Sequence, residues 1–326
     1  MFLRNRFAGN TRGISMANRF FLFYIRKFHL TCRLLIFAGR NMNGFRLQVT
    51  LPLILLLLFA LVRPPYSHGA TTSGSLVENE VWSGTIALTG DVVVPANLQL
   101  TIEPGTRILF PAQGDDQNSG ADVSRSELIV YGILIANQAQ GAVVTFTSGS
   151  TSPEPGDWLG IRFLDGSSGS LQKCAVEYAD VGVYMYRNTS PLISGCTIRY
   201  NNKGLEARYG GSVRPRPVVN HCSIYDNAAY NFYASRHRSH HYWNTTVLDA
   251  TNNWWGTADP QEIAAGIYDY DDNSGVAVVD YSSFLDEENG SPVAPAEGGA
   301  YLIGGTRADT TPVSYTHLTL PTNREV

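Results

Sequence analysis

The sequence has little charge, few stretches with a helical period, and no acidic residue in its first 70 positions. Charged residues are 16% of the 326, while 44% are hydrophobic and 11% aromatic, which excludes a disordered chain. Glycine, at 31 residues, is far too sparse for a collagen-like repeat. The net charge of -4 sums unlike parts. Residues 71–312 hold 13 basic and 27 acidic residues, a net of -14. So acidic a region argues against DNA, RNA and anionic lipid as partners. A polyanionic glycan fits only with bridging cations. A neutral or cation-assisted extracellular or cell-wall polysaccharide is the expected partner, bound by a monomer.

The ten basic residues of positions 1–70 lie in and around two apolar stretches. The second, 51–62, follows Met42-Asn43-Gly44-Phe45-Arg46 and precedes Ser67-His68-Gly69-Ala70, whose small residues fit a secretory cleavage site. Residues 42–69 therefore read as a signal peptide, with 1–41 as upstream read-through and Met42 as the start. The run is too short for a comfortable span of about 20 residues. The alternative is an N-terminal anchor that includes the apolar, basic stretch 20–37. The expected location is secreted or at the cell surface, with no membrane insertion of the mature domain. At the other end, residues 313–326 resemble a translated sequencing adapter. Residues 286–312 read as a linker and the start of a truncated C-terminal region.

Between these ends the chain is a succession of short apolar runs with period-two alternation, broken by Gly, Asn, Asp, Ser and Pro, as strands and turns require. Three segments repeat. One runs Leu171, Cys174, Val176, Ala179, Gly182, Val183; the next Ile193, Cys196, Ile198, Asn201, Gly204, Leu205; the third Val219, Cys222, Ile224, Asn227, Asn231, Phe232. A degenerate fourth copy aligns over Trp243, Thr246, Leu248 and Thr251. Asn231 replaces the glycine of the other copies, as the next residue to tolerate a left-handed backbone. Stacked coils spaced about 4.8 Å apart place like on like. Cys174, Cys196 and Cys222 then form an interior column, and Asn201 and Asn227 an asparagine ladder.

This pattern resembles the right-handed parallel β-helix, the pectin-lyase-like fold of pectate lyases and many secreted bacterial surface proteins. The resemblance covers about residues 80–285, within a domain of 71–285. It extends to the ending Asn252-Asn253-Trp254-Trp255-Gly256-Thr257, though Ser283 stands where such endings carry Pro. It implies an all-β solenoid of about seven to nine coils. The family is architectural and says little about activity.

Candidate sites follow from the register. Three cysteines are an odd number, but their alignment with core columns favours buried free thiols over a disulfide plus a reactive thiol. His237, His240 and His241 form a cluster that Asp226 or His221 would complete as a metal site, but the spacing matches no strong zinc pattern and reads as a solvated loop. Asp269, Asp271, Asp272 and Asn273 form an oxygen-rich run of the kind calcium prefers, without the offsets of an EF-hand loop; the alternative is a polar closing turn. Asp115, Asp116 and Asp122 lie in a Gly/Ser-rich insertion and read as solvated. Trp254 and Trp255 read as a cap on the solenoid end. Outside the inward column Val183/Leu205/Phe232, the rows Tyr184/Glu206/Tyr233 and Tyr186/Arg208/Ser235 face out, with Arg187, Tyr209 and Arg236 next along. Tyrosine faces stack on sugars and Arg and Glu bond hydroxyls, so this strip is the carbohydrate-binding candidate; ordinary cross-strand pairing is the alternative.

Glu206, Arg208 and Arg187 are the catalytic candidates. Glycoside hydrolysis needs two placed carboxylates, and Glu206 has no evident partner in the repeats, Asp180 and Asp226 sitting elsewhere in the coil. The Gly-His-Gly segment of polygalacturonase-like hydrolases is missing, and Arg214-Pro215-Arg216-Pro217 does not match the Arg-x-Pro-x-x-Arg of pectate lyases. The expectation is a non-catalytic, carbohydrate-binding or structural, adhesin-like module, with a polysaccharide lyase or glycoside hydrolase as the alternative.

Overall fold

The computed structural model describes residues 70–210, 213–236 and 246–293. The leader, Cys32, His237, His240, His241 and the residues after 293 lie outside them. The described chain winds through three parallel sheets in turn. Sheets A and B have eight strands each and sheet C has six, with neighbours in each sheet drawn from successive coils. The result is an all-β solenoid, and its core is the space the three sheets enclose. Among the described residues no helix is long and apolar enough to cross a membrane.

Period-two alternation sends every second side chain into that space, and the parallel register stacks the inward residues on their equivalents. In sheet A, Leu128, Ile161, Val183, Leu205, Phe232 and Ile267 are successive partners. In sheet C the partners are Ile86, Ile108, Phe146, Val176, Ile198 and Ile224. These side chains are almost wholly buried. Each such aliphatic contributes roughly 1.5–3 kcal/mol relative to an exposed one.

The turns carry the polar columns. Cys174, Cys196 and Cys222 are buried free thiols at the turn from sheet B to sheet C. The Cys174 N–H donates to the Cys196 sulfur at 3.4 Å, and the Cys196 N–H to the Cys222 sulfur at 3.4 Å. Hydrogen bonding to Cys196 and burial push the Cys174 thiol well above its ordinary range. The column continues into Asn253, whose Oδ1 accepts the Cys222 N–H at 2.8 Å. This corrects the fourth repeat: Leu248 pairs with Val279 in sheet B, and Asn253 follows Cys222 in place of Thr246. At the turn from sheet C to sheet A, Asn201 donates from Nδ2 to Asn227 Oδ1 at 3.0 Å, and Asn227 likewise to Asn231 Oδ1 at 3.0 Å.

Asn231 is therefore the end of the ladder and does not take a left-handed backbone. Glycine stands at the equivalent positions for space. A Cβ on Gly182 would lie 2.6 Å from the Gly204 carbonyl oxygen, and one on Gly204 2.6 Å from that of Asn231. The left-handed residues sit immediately before the polar columns: Lys173, Gly195, His221 and Asn252 on one turn, Tyr178, Tyr200 and Asp226 on the other. Ser283, at φ +54°, continues this pattern; the fixed negative φ of proline does not fit there.

The C-terminal end is covered locally. Asp259 caps a short helix, Pro260–Ala265, which has proline in its first turn and buries Ile263. Trp255, Ile263, Phe284 and Leu285 are all buried there. Trp254 is half-exposed and pairs its backbone with Ser223. Residues 286–293, expected to open a linker, fold back: Asp286 donates its N–H to the Ser291 carbonyl at 3.0 Å and Val293 to that of Phe284 at 2.8 Å.

Candidate functional site

A groove of about 320 Å³ lies on the outer face of sheet A. Its floor comes from three successive strands, Trp158–Phe163, Ala179–Tyr186 and Lys203–Tyr209. Period two turns Arg162, Tyr184, Glu206 and Arg208 outward on these strands, and the register sets Arg162 beside Tyr184 and Tyr184 beside Glu206. Ala121, Asp122 and Arg125 of the insertion 111–126 form one wall, and Asp180 and Lys203 line the edge.

The charges in the groove are tightly paired. Arg162 Nη1 meets Glu127 Oε2 at 2.8 Å, Lys203 Nζ meets Glu206 Oε2 at 2.9 Å, and Arg125 meets Asp122 at 2.6 Å and Asp180 at 3.7 Å. Ser235 donates to the other Glu206 oxygen at 2.7 Å, so both oxygens of this buried carboxylate are engaged. Arg208 differs. Among the described residues it has no ion pair, though its buried Nε, like that of Arg162, has no hydrogen-bond partner. It bonds the Tyr184 phenol, whose pKa burial raises.

The predicted strip is only partly assembled. Tyr184, Glu206 and Arg208 line the groove. Tyr209 is a correction: it is 3% exposed and belongs to the core cluster. Arg187 leaves the sheet in a left-handed turn, pairs with Asp165 at 3.2 Å and does not line the groove with Glu206. Arg236 lies against Gly275 in the last turns. The tyrosine faces are also occupied. Tyr233 stacks on Tyr268 with centroids 4.6 Å apart and has Lys203 Nζ 4.1 Å from its ring centre. Arg162 lies 4.7 Å over Tyr184, and Tyr186 has Tyr184 and Arg187 as neighbours. This part of the strip is cross-strand packing, and the groove works through its polar groups.

Sequence reasoning missed Arg162, Arg125, Lys203 and the groove position of Asp122 and Asp180. Arg162 lies one coil before the aligned repeats, and Arg125 lies in the insertion. The insertion is not simply solvated. Asp115 Oδ1 accepts the Asp91 N–H at 3.0 Å, and the Asp116 carboxylate accepts from the Thr89 hydroxyl at 2.6 Å. The oxygen-rich run near the end closes a turn: Asp269 turns inward and accepts the N–H groups of Asp271 at 3.1 Å and Val279 at 2.9 Å. Asn273 accepts the Gly275 N–H at 3.0 Å, and the Asp269 N–H reaches Asp272 at 3.3 Å. Among the described residues no group of three or more His, Cys, Asp or Glu is placed to hold a metal ion.

A family model described as the right handed beta helix region matches residues 71–254. With the three parallel sheets and the stacked columns, the match makes the chain a member of the right-handed β-helix family. No curated protein and no solved structure matches the chain.

Proposed function

We propose that the sheet A groove binds a segment of polysaccharide, and that the chain is a non-catalytic carbohydrate-binding module acting outside the cell. One observation carries this reading: four basic side chains, Arg125, Arg162, Lys203 and Arg208, and three carboxylates, Asp122, Asp180 and Glu206, line one groove. Sugar hydroxyls both donate and accept, so a surface dense in charged donors and acceptors matches them. Arg208, the groove cation with no ion pair among the described residues, is the donor left for a ligand. The basic and then apolar sequence of residues 42–69 supports the extracellular assignment.

Turnover is a second reading, because the three carboxylates share the groove, against the sequence expectation that Glu206 stands alone. The intact chain on a glycan array, followed by titration of retained oligosaccharides, tests binding. Retention of a glycan by the wild type and its loss in Arg208→Ala is the expected result. No retained glycan, or equal binding by the variant, overturns the proposal. Reducing-sugar or unsaturated product that disappears in Glu206→Gln establishes the second reading instead.

A further inference from the structure

We propose that residues 111–126 form a pH-responsive strap that shuts one side of the groove under acid conditions and loosens as Asp91 beneath it ionises. The inference rests on the groove being the working surface, and it concerns regulation of that surface. Asp91 and Glu127 are each 1% exposed and lie under the strap. They bracket Gly120 so closely that a Cβ there would fall 2.0 Å from Glu127 Oε1 and 2.6 Å from Asp91 Oδ2. The strap is held by those two carboxylates: the Ser119 hydroxyl donates to Asp91 Oδ2 at 2.8 Å, and the Ala121 N–H to Glu127 Oε1 at 2.7 Å. The next residues, Asp122 and Arg125, are the groove wall, so whatever releases Ser119 and Ala121 moves that wall.

The groups facing Asp91 are mostly acidic. Glu127 and Asp115 raise its pKa by their charge, and Asp116 abuts the adjoining Gly90. The nearby cation, Arg162, is engaged by Glu127 at 2.8 Å. Burial, opposed by the Ser119 hydrogen bond, brings the Asp91 carboxyl from 3.8 up to about 6. With the strap released, Asp91 meets water and returns toward the ordinary value. Asp91 thus favours docking most below about pH 4, where it is protonated in both states, and that contribution is lost as the pH climbs through about 6. The docked-to-released ratio falls on the order of a hundredfold across that window and is flat above it.

Hydrogen exchange of the intact chain without ligand tests this, with rates corrected for the intrinsic pH dependence of amide exchange. Peptides from 111–126 are expected to lose protection between about pH 4 and about pH 7, while those from the strand Lys203–Tyr209 keep theirs. Asp91→Asn keeps an acceptor for the Glu127 N–H and removes the titration, so its strap protection is expected to be flat. Gly120→Ala drives a methyl into the two carboxylates and is expected to expose the strap at both pH values with the coils intact. A flat wild-type profile, an Asp91→Asn profile that still falls, or a Gly120→Ala strap as protected as wild type overturns the proposal. Because no glycan is present, a failed glycan screen leaves this result standing, and a flat profile leaves the binding reading standing.

Discussion

Replacing Asn201 with alanine tests whether the asparagine ladder holds the coils together. Asn201 is fully buried. Its Oδ1 accepts the Ala179 N–H at 2.8 Å, and its Nδ2 reaches the carbonyls of Val176 at 3.1 Å and Arg199 at 3.0 Å, besides Asn227. Alanine leaves one backbone donor and two carbonyls without these partners in a site too enclosed to rehydrate. Each orphaned group costs roughly 1–3 kcal/mol, with carbonyls at the low end because a second lone pair remains. The sum is about 3–5 kcal/mol, against a domain stability of about 5–15 kcal/mol. Urea unfolding followed by far-UV circular dichroism reads this as a fall of about a fifth or more in the midpoint at unchanged slope. Asn202 is the control, one residue away and half-exposed, with a side-chain bond to Asp180 Oδ1 at 2.8 Å. Its alanine variant is expected to lose about 1 kcal/mol or less. Equal losses in the two variants would refute the ladder as a stabilising element.

Gly204→Ala is expected to cost about 1–3 kcal/mol or more by overpacking, because the new methyl meets backbone in the next coil. Gly84→Ala, at φ +75° with open space around it, is expected to cost only about 1 kcal/mol from backbone strain; thermal melts of the two variants compare them. Cys174, Cys196 and Cys222 are expected to resist a soluble thiol reagent in the native chain and to react once it is unfolded in denaturant. Mass spectrometry of the labelled peptides checks this, and labelling of any of the three before unfolding contradicts the buried column.

The columns were legible because a parallel solenoid turns a repeat directly into contact. Cys174, Cys196 and Cys222 recur at separations of 22 and 26 residues and meet in space as aligned. The fourth copy failed because Asn253, not a cysteine or threonine, takes over the hydrogen bond to Cys222, and a pattern search for like residues cannot find a chemical substitute. The groove was half legible. Tyr184, Glu206 and Arg208 follow from strand parity, but parity does not say which side chains a longer outer loop will cover. Nor does it say that Lys203 and Tyr268 will occupy the faces of Tyr233. Tyr209 obeys parity: it shares the inward face of Leu205 and Ala207 and is buried, so counting it in the outward strip departed from the alternation of its own strand. The left-handed residues were invisible because Lys173, Tyr178, Tyr200 and His221 carry no compositional signal for that backbone.

The close approach at Gly182 and Gly204 bears on how such a chain can change length. The coils of Gly182 and Gly204 present a glycine, a cysteine and an aliphatic side chain at matching places, with Ala179 in the first where the second has Asn201. Duplicating or deleting one whole coil in this stretch would recreate the junctions already present, and the groove floor would lengthen or shorten by about 4.8 Å. Asn231 breaks the equivalence, since its side chain fills the place that glycine leaves open and turns back onto Asn227. It marks the boundary beyond which the cross-section is no longer interchangeable.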